Sequence, residues 1–334
     1  VASQLFSQTA ATAYFPLDFR WVVGRILSRV RPRVVVLFET EIWPNFINSA
    51  ISLGIPVVVV NGRISEASFR YYRLLPWIFR NIFARISRIG MQSGADAERA
   101  VALGAKPDAV FICGNMKFDA VSEPPSAERI EAIRRELLLP RNASLIVGGS
   151  THQGEEKALV NAYKRLLDKK PDTRLLIAPR HPERFDEVEV LIRSQGFDVL
   201  RRSRCSSKLK PPASNTVILL DTIGELAQVY ALSTISFVGG SLANVGGHNI
   251  IEPAAVAKAI VFGPHMHHFK DIKEIFLSEQ AAIMVSSEDE LYERLRELLH
   301  NPERIRAIGD AALRVVERNR GATERYFAFL KDFL

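Results

Sequence analysis

The sequence predicts an α/β protein made of two successive doubly wound units, each built on a parallel sheet. Short apolar runs alternate along the whole chain with segments of helical period. The proline-rich stretch Glu123-Pro124-Pro125-Ser126 interrupts this alternation and divides it into two series. Two such units place a cleft between the loops at the carboxyl ends of their strands, which is where ligands bind in these sheets.

The first unit is predicted to contain four strands separated by helices. The strands are Arg33–Phe38, Pro56–Val60, Ile86–Met91 and Val110–Cys113. Ser126, followed by a helical run to Leu139, predicts a capped helix. We therefore expect a first domain over residues 1–122, a linker helix over 123–140 and a second domain over 141–315.

The second unit is predicted to contain six strands, again separated by helices. They lie near Ser144–Val147, Arg174–Ile177, Thr216–Leu220, Ile235–Val238, Ile260–Phe262 and Ala282–Val285. Two more helices close the chain. The last, residues 316–334, is expected to pack back on the first domain.

Length, composition and charge restrict the class of protein. The chain has 334 residues, of which 47% are hydrophobic and 24% charged, enough for two domains with separate cores. The net charge of +7 favours an anionic partner, whether a nucleotide, a nucleic acid or a membrane surface. Cys113 and Cys205 are not in CxxC spacing, which favours a reduced setting over a disulfide framework. No apolar run reaches the roughly 18 residues that cross a bilayer.

The glycine-rich junction, residues 239–253, is the most informative segment for function. It joins an apolar strand to a predicted helix, and its two glycine pairs allow the backbone to approach a ligand closely. The N–H groups at the helix start are expected to form a site for an anion. Glu252 cannot be the partner of that anion and suits sugar hydroxyls instead. A phosphate beside a ribose, and hence a nucleotide, fits both halves of the pattern.

Two further loops follow predicted strands of the second unit. Gly148-Gly149-Ser150-Thr151-His152 is predicted as a tight turn, which either faces a ligand or only caps a helix. In the loop from Ala178 to Arg184, prolines on both sides of Arg180 direct its guanidinium towards phosphate oxygens. The alternative for Arg180 is a surface ion pair with Glu183 or Asp186.

The third loop of this kind, Asp221–Leu226, has both a structural and a functional interpretation. Asp221 or Thr222 is predicted as a helix N-cap, with Glu225 completing a capping box. Ile223 and Gly224 are left over and could pack against a nucleobase.

The loop after the fifth predicted strand of this unit contains His265, His267 and His268. Adjacent histidines 267 and 268 would diverge on a helix and have no acidic or cysteine partner at ligand spacing, so no metal site is predicted.

Polar residues also follow strands of the first unit. Glu39 and Glu41 come after the first strand and suit acid–base or electrostatic roles, or else they cap the helix that begins near Pro44. Lys117 follows the fourth strand and either faces the cleft or is solvated next to Asp119. The segment from Phe69 to Phe83 alternates aromatic residues with arginines, a pattern that fits an anionic membrane surface or core packing.

These blocks, in this order, resemble those of the 3-deoxy-D-manno-octulosonic acid (Kdo) transferases of lipopolysaccharide synthesis. The resemblance rests on the glycine-rich junction and on the blocks 39–45, 114–119, 149–152, 178–184, 221–226 and 263–266. It implies the GT-B architecture, in which two Rossmann-like domains face each other across a cleft. It also implies transfer of Kdo from CMP-Kdo to a lipid A precursor such as lipid IVA, with inversion and without a cofactor or essential metal. The expected location is the cytoplasmic face of the inner membrane.

The resemblance also implies which residues form the site. The CMP site would comprise Pro179, Arg180, Ile223, Gly224, Glu225, Asn249, Ile250, Ile251 and Glu252. Gly149, Ser150, Gly240 and Ser241 would form a loop towards the donor. Glu39 and Lys117 match transition-state stabilisers, and Glu41 is the fallback for Glu39. The family has methionine where this chain has Ile223, a change that keeps an apolar contact.

The catalytic base of the family is a glutamate in a Gly-Glu motif that follows a membrane-anchor helix. Residues 1–38 contain no glutamate, and Asp18 belongs to a different block of the family. We therefore expect the base and the anchor upstream of Val1, and we expect the chain to bind CMP but to turn over poorly.

Two other function classes are weighed against this one. Another GT-B enzyme, such as a UDP-sugar transferase or a sugar-nucleotide epimerase, would share the glycine turns and the ribose carboxylate. A nucleic-acid-binding module is suggested only by the positive charge, and its basic residues are dispersed, without a recognisable motif. No nucleic-acid partner is therefore expected.

Overall fold

The computed structural model describes residues 11–205 and 215–333, which divide into two compact units. One unit extends to Asp119 and includes the chain after Asn319, and the other is Ala120–Arg318. Each contains one parallel sheet, so the predicted α/β class with two parallel sheets is confirmed.

The first unit has a four-stranded sheet in the order β1-β2-β3-β4, and its four predicted strands are confirmed. The strands are β1 (Val35–Phe38), β2 (Val57–Gly62), β3 (Arg88–Met91) and β4 (Val110–Ile112). Five helices of this unit are α1 (Arg20–Val30), α2 (Pro44–Ser52), α3 (Glu66–Leu74), α4 (Pro76–Arg85) and α5 (Gly94–Ala102). All residues of β2 are buried, as expected for a strand covered on both faces.

The second unit begins with α6 (Ala127–Glu136), whose first turn is capped by Ser126. The Ser126 hydroxyl accepts a hydrogen bond of 3.2 Å from the backbone N–H of Arg129. The seven strands that follow are β5 (Ser144–Thr151), β6 (Thr173–Pro179), β7 (Asp198–Arg201), β8 (Thr216–Leu219), β9 (Ile235–Val238), β10 (Ala259–Phe262) and β11 (Ile283–Met284). The helices are α7 (Glu155–Leu167), α8 (Phe185–Ser194), α9 (Leu226–Tyr230), α10 (Ile251–Ala255), α11 (Lys270–Ser278), α12 (Glu288–Leu299) and α13 (Pro302–Asn319).

The sheet of the second unit has the order β11-β10-β9-β5-β6-β8-β7, one strand more than predicted. The additional strand, β7, lies at the sheet edge and pairs only with β8. None of its four residues is fully buried, so it lacks the apolar run that marks a central strand.

The predicted tight turn at Gly148–His152 is wrong. β5 continues to Thr151, and Gly148 and Gly149 pair with Ile177 and Ala178 of β6. Glycine is required at 149 for packing, because a Cβ there would lie 1.9 Å from the hydroxyl oxygen of Tyr230.

The last helix, α14 (Ala322–Leu330), packs against the sheet of the first unit. Tyr326 is buried against Val58, Val60 and Cys113, and its hydroxyl donates a 3.1 Å hydrogen bond to the carbonyl of Gly114. A side chain at position 90 would collide with the Tyr326 ring at 2.5 Å. This contact fixes the loop that carries Lys117. Across residues 11–205 and 215–333, no helix combines the length and the apolar character that crossing a membrane requires.

Candidate functional site

The switch point of the second sheet lies beside β5. The chain leaves β5 for β6 on one side and later returns to pair β9 with β5 on the other. The carboxyl ends of these strands lead to His152, Arg180 and the glycine-rich junction. Ligands bind at this position in open parallel sheets, so these loops form the candidate site of the second unit.

A buried carboxylate, Glu155 at the start of α7, organises the first half of the glycine-rich junction. Its Oε2 accepts hydrogen bonds from the backbone N–H groups of Gly240 at 2.7 Å and His152 at 2.9 Å. Its Oε1 accepts three more, of 2.9 to 3.1 Å, from Ser241, Leu242 and Ala243. Glu155 is 1% exposed, and the sequence did not indicate it. The N–H groups of Gly240 and Ser241 are therefore already bound to Glu155, and the role of these two residues in a loop towards the donor stays a prediction.

The side chain of Ser241 is likewise used within the protein. Its hydroxyl donates to the carbonyl of Val238 and accepts a 2.8 Å hydrogen bond from the N–H of Gly263. Ser241 is completely buried, so it holds two strand ends together. Ser150, with a φ of 53°, sits where the register between β5 and β6 shifts. Its role as part of a loop towards the donor stays a prediction.

The second half of the junction presents Asn249 and Glu252. The Asn249 side chain caps α10 by accepting from the N–H of Ile251 at 3.1 Å, and its amide donates to Glu252 Oε1 at 3.2 Å. Burial raises the pKa of Glu252, while Asn249 and the positive charge of Arg180 oppose this rise. Ile250 and Ile251 are completely buried, and their contact with CMP stays a prediction. The expected anion site at the start of this helix has fewer N–H groups to offer than predicted. The helix α10 has only five residues, and the N–H of Ile251 already donates to Asn249.

Arg180 extends from the end of β6 with an exposed side chain. Its backbone N–H donates to the carbonyl of Thr151 at 3.0 Å, which fixes the strand end next to β5. Neither predicted alternative partner binds it, because Asp186 pairs with Arg201 and Glu183 lies 3.5 Å from His181. Within residues 11–205 and 215–333, the Arg180 guanidinium makes no ion pair. It is therefore available for an anionic ligand, while Pro179 beside it is buried at the strand end.

Gly224 and Glu252 line the same cavity, of about 250 Å³. The rest of its wall comes from α9, from α10 and the residue after it, and from α6 and the segment before it: Val121, Ser122, Glu123, Pro124, Pro125, Arg129, Ala227, Gln228, Ala255 and Val256. Gly224 has a φ of 88°, which favours glycine, and the neighbouring Ile223 is 82% exposed. An exposed apolar side chain next to a small cavity lined by the carboxylates of Glu123 and Glu252 suits a base and a sugar.

Glu225 lies in an ion-pair network rather than in the cavity wall. It accepts two hydrogen bonds from Arg202, of 2.9 and 3.2 Å, and one from the Thr222 hydroxyl. Burial raises the pKa of Glu225, but these partners outweigh that effect and lower it overall. The predicted capping box is wrong, because no side chain caps α9 and Asp221 instead accepts from Ser203. The expected contact of Glu225 with CMP would have to compete with Arg202.

Glu39, in the first unit, has an unusual backbone conformation directly after β1. Its φ is 60°, a region that non-glycine residues avoid, and its N–H donates to the carbonyl of Val60 at 2.8 Å. Such strain is concentrated at functional sites. The Glu39 side chain is exposed, whereas the Glu41 carboxylate accepts a 3.1 Å hydrogen bond from the indole of Trp43.

The alternative that Glu39 and Glu41 cap α2 is wrong. The cap is Asp18, whose carboxylate accepts hydrogen bonds from the N–H groups of Asn45 at 3.0 Å and Phe46 at 2.7 Å. Asp18 comes from well before β1, so the cap is a long-range contact. Both glutamates are thereby left for other roles.

The loop that carries Lys117 is held from several sides. The Asn115 side chain accepts from the N–H of Lys117 at 3.0 Å and donates to Gln92 at 2.9 Å. The alternative of a lysine solvated beside Asp119 stays a prediction. The Asp119 carboxylate accepts hydrogen bonds of 2.7 and 2.6 Å from the N–H groups of Gly321 and Thr323. Although burial raises the pKa of Asp119, these hydrogen bonds hold it below the usual range.

Glu39 and Lys117 do not meet. They follow β1 and β4, the opposite edges of the four-stranded sheet, and three strand spacings correspond to about 14 Å. A substrate would have to lie between them.

The segment Phe69–Phe83 is partly buried in the core, as one of its two predicted interpretations requires, and partly exposed; a membrane role for the exposed part stays a prediction. Phe79 and Phe83 are buried in the core of the first unit. Tyr71, Leu74 and Trp77 are 56%, 72% and 70% exposed, beside the exposed arginines 70, 73 and 80. The two aromatic residues and the leucine are called here the aromatic patch, and they lie exposed on the surface of the first unit.

Sequence comparison places this chain among known proteins. The family model described as 3-Deoxy-D-manno-octulosonic-acid transferase (kdotransferase) matches residues 1–120. The 3-deoxy-D-manno-octulosonic acid transferase of Haemophilus influenzae is 34% identical, over 98% of this chain and 76% of that protein. The protein of the same name from Bordetella pertussis is 32% identical, over 96% of this chain and 74% of its own length.

Two solved structures are also similar to this chain. The C-terminal CMP-Kdo binding domain of WaaA from Acinetobacter baumannii is 31% identical, with a TM-score of 0.52 over 57% of this chain and 96% of that domain. Anabaena Alr3699/HepE, solved in complex with UDP, has a TM-score of 0.58 over 93% of this chain and 81% of its own, and at 12% identity it shows the GT-B fold alone. The chain belongs to the 3-deoxy-D-manno-octulosonic acid transferase family, whose members are glycosyltransferases of lipopolysaccharide biosynthesis.

Proposed function

We propose that this protein transfers Kdo from CMP-Kdo to a lipid A precursor, lipid IVA, with inversion at the anomeric carbon. The observation that carries the donor assignment is the arrangement of Arg180, Asn249 and Glu252 around the switch point of the second sheet. Arg180 provides an available cation, and Glu252 and Gly224 line a cavity suited to a nucleoside. The related domain from Acinetobacter baumannii is described as CMP-Kdo binding, which supports the same choice of nucleotide.

In this proposal the two halves of CMP are bound by different chemistry. The phosphate accepts charge-assisted hydrogen bonds from the Arg180 fork. The ribose hydroxyls donate to Glu252, whose carboxylate is aligned by Asn249. Ile223 covers the base. As the bond from Kdo to the phosphate breaks, negative charge grows on the phosphate, and the preformed position of Arg180 stabilises it.

Glu39 and Lys117 are proposed to act on the sugar and the acceptor. Departure of CMP gives the sugar the character of an oxocarbenium ion, as in glycoside hydrolysis. A carboxylate such as Glu39 stabilises that positive charge, and Lys117 stabilises negative charge on the oxygens around it. The strained backbone of Glu39 supports this assignment over Glu41, whose carboxylate already accepts from Trp43.

The acceptor is a lipid, so the protein is proposed to work at the cytoplasmic face of the inner membrane. The aromatic patch supports this location, because exposed aromatic and aliphatic side chains next to arginines bind the interface of anionic bilayers. The proposal needs neither a metal nor a cofactor, since Arg180 can neutralise a leaving monophosphate.

Calorimetric titration with CMP and UDP tests the donor assignment. We expect CMP to bind and UDP to bind at least about tenfold more weakly, a difference of about 1.4 kcal/mol. UDP binding as tight as that of CMP would favour the alternative, a UDP-sugar transferase or epimerase with the same fold.

A further inference from the structure

Two histidines at the switch point form a directly hydrogen-bonded pair. The Nε2 atoms of His152 and His248 are 2.8 Å apart. The ring centroids are 5.1 Å apart and the ring planes 8° apart, so the two rings meet end to end with nearly parallel planes. His152 follows β5, and His248 lies in the glycine-rich junction after β9. Gly240 makes room for them, because a Cβ there would lie 2.9 Å from the His248 ring.

The short contact defines which protons the pair can carry. One Nε2 must donate and the other must accept, so the two neutral rings are opposite tautomers. The accepting ring then has a proton on Nδ1, and the donating ring has a lone pair there. Within the residues that the structure describes, neither Nδ1 atom has a hydrogen-bond partner. The neutral pair therefore presents one donor and one acceptor, and the acceptor repels an anion.

Addition of one proton changes this pattern. The lone pair on the second Nδ1 becomes an N–H, so both rings then present a donor and the pair carries a positive charge. Such a pair would add to the cation of Arg180 and bind anionic oxygens as the guanidinium does.

The surroundings keep the empty pair neutral. Burial, together with the charges of His152, Arg180, His181 and His268, lowers the pKa of His248 to about 4. Burial also lowers the pKa of His152. Glu155 opposes this effect, and His181, Arg184 and Arg180 lower the pKa further. These are the charged groups that face the pair from α7, from the loop after β6 and from the loop after β10. An anion placed among them would reverse the balance, because its charge favours the protonated form.

We propose that His152 and His248 form an anion-binding pair that takes up a proton when an anionic group of the sugar nucleotide binds beside Arg180. This inference rests on the proposed function, because it assumes a CMP-sugar donor at this site. The anionic group is either the phosphodiester of the donor or the carboxylate of its acidic sugar. In both cases protonation of the histidine pair raises the affinity of the site for the nucleotide of an acidic sugar. It does not raise the affinity for a neutral ligand. The two histidines are positioning and specificity residues in this account.

Proton uptake can be measured by calorimetry in two buffers of different ionisation enthalpy, such as Tris and PIPES. Two probes have anionic groups that stay ionised at neutral pH. Cytidine 5′-methylphosphate has only the phosphodiester, and CMP-sialic acid also has a sugar carboxylate. Any buffer-dependent heat therefore reports protons taken up by the protein. Uptake with both probes assigns the phosphodiester, and uptake only with CMP-sialic acid assigns the carboxylate.

The variants are His152→Gln and His248→Gln, because glutamine keeps a hydrogen-bonding group but cannot titrate. His300→Gln is the matched control, since His300 is an exposed residue directly after α12, and its Nδ1 atom lies 2.8 Å from the carbonyl oxygen of Arg296. We expect uptake of a substantial fraction of a proton in the unmodified chain and in the control, and its loss in both pair variants. The affinity should also fall as pH rises, by at most about tenfold per pH unit for one proton, and this slope should flatten in the pair variants.

Binding of the probes without buffer-dependent heat would overturn the inference and leave the donor assignment intact. Uptake that persists in both pair variants would also overturn it, because the proton would then go elsewhere. Failure of CMP and of both probes to bind would instead overturn the proposed function, and the inference with it.

Discussion

The Glu155 carboxylate accepts a 2.7 Å hydrogen bond from the backbone N–H of Gly240, a residue 85 positions away at the end of a neighbouring strand. Four further N–H groups bind the same carboxylate. The backbone N–H groups of this glycine-rich loop, which could otherwise bind an external anion, thus bind a carboxylate of the protein itself. The consequence is a rigid junction that aims His248, Asn249 and Glu252 at the site.

Replacement of Glu155 by Gln should destabilise the second unit. Glutamine places its NH2 group where one carboxylate oxygen was, so this NH2 group faces backbone N–H groups that can no longer donate to it. A buried donor left without an acceptor costs about 1–3 kcal/mol. We expect the free energy of unfolding to fall by about 3 kcal/mol in urea denaturation. Glu317→Gln, an exposed change on α13, is the control and should have little effect. Equal stability of the Glu155 variant and the unmodified chain would show that the junction does not depend on this carboxylate.

Replacement of Arg180 by Ala should weaken CMP binding while leaving the fold unchanged. Charge-assisted hydrogen bonds contribute about 1.5–3 kcal/mol, so we expect a loss of affinity of about 10- to 100-fold. Arg314→Ala provides a control, because Arg314 is an exposed arginine of α13. Unchanged CMP affinity in calorimetry would remove Arg180 from the phosphate site.

Glu252 is expected to lower the free energy of unfolding of the ligand-free protein and to contribute to CMP binding. Its pKa is raised by burial, so the folded state holds its proton more tightly than the unfolded state, and stability falls as pH rises from the unfolded pKa through the raised folded one. Glu252→Gln should therefore be more stable than the unmodified chain at neutral pH, and the difference should vanish in acid. The same variant should bind CMP more weakly, by about tenfold.

Urea titrations at neutral and acidic pH, paired with calorimetry, check both parts of this prediction. Loss of stability of the Glu252→Gln variant at neutral pH would contradict the destabilising effect of the buried carboxylate. CMP binding as tight as in the unmodified chain would contradict its role at the ribose.

The aromatic patch should contribute to membrane binding. Its side chains are exposed in the protein and would lose water contact at a bilayer interface. We expect the double variant Leu74→Ser/Trp77→Ser to bind vesicles with anionic lipids at least about tenfold more weakly in a sedimentation assay. Phe327→Ser is a matched control, because Phe327 is 65% exposed on α14, outside the patch. Equal loss in the control would mean that the binding is not specific to this surface.

The sequence predicted the strands that are buried on both faces, because such strands need continuous apolar runs. It missed β7, whose edge position tolerates the polar sequence Asp-Val-Leu-Arg. It also ended β5 too early, since Gly148 and Gly149 usually mark a turn. Here both glycines stay in the strand, and at 149 the reason is a long-range contact with Tyr230.

The place of the candidate site in the sheet was predictable from the strand ends that lead to it. Arg180 directly follows β6, and the junction that carries Asn249 and Glu252 follows β9; strand ends in a parallel sheet lie on one edge. Partners that come from distant segments were not predictable. Glu155 stands at the start of a helix, where an acidic residue is common, and nothing nearby indicates that its carboxylate binds a loop more than 80 positions away. The same holds for the cap that Asp18 provides to α2.

The structure of the chain with bound CMP is the most direct test of the central claim, that the loops at the switch point of the second sheet form the donor site. We expect phosphate oxygens within about 3 Å of the Arg180 guanidinium and ribose hydroxyls at a similar distance from Glu252. We also expect Glu155 to keep its five N–H partners. CMP bound elsewhere, or a phosphate that displaces Glu155 from the N–H groups of Gly240 and Ser241, would refute this donor site.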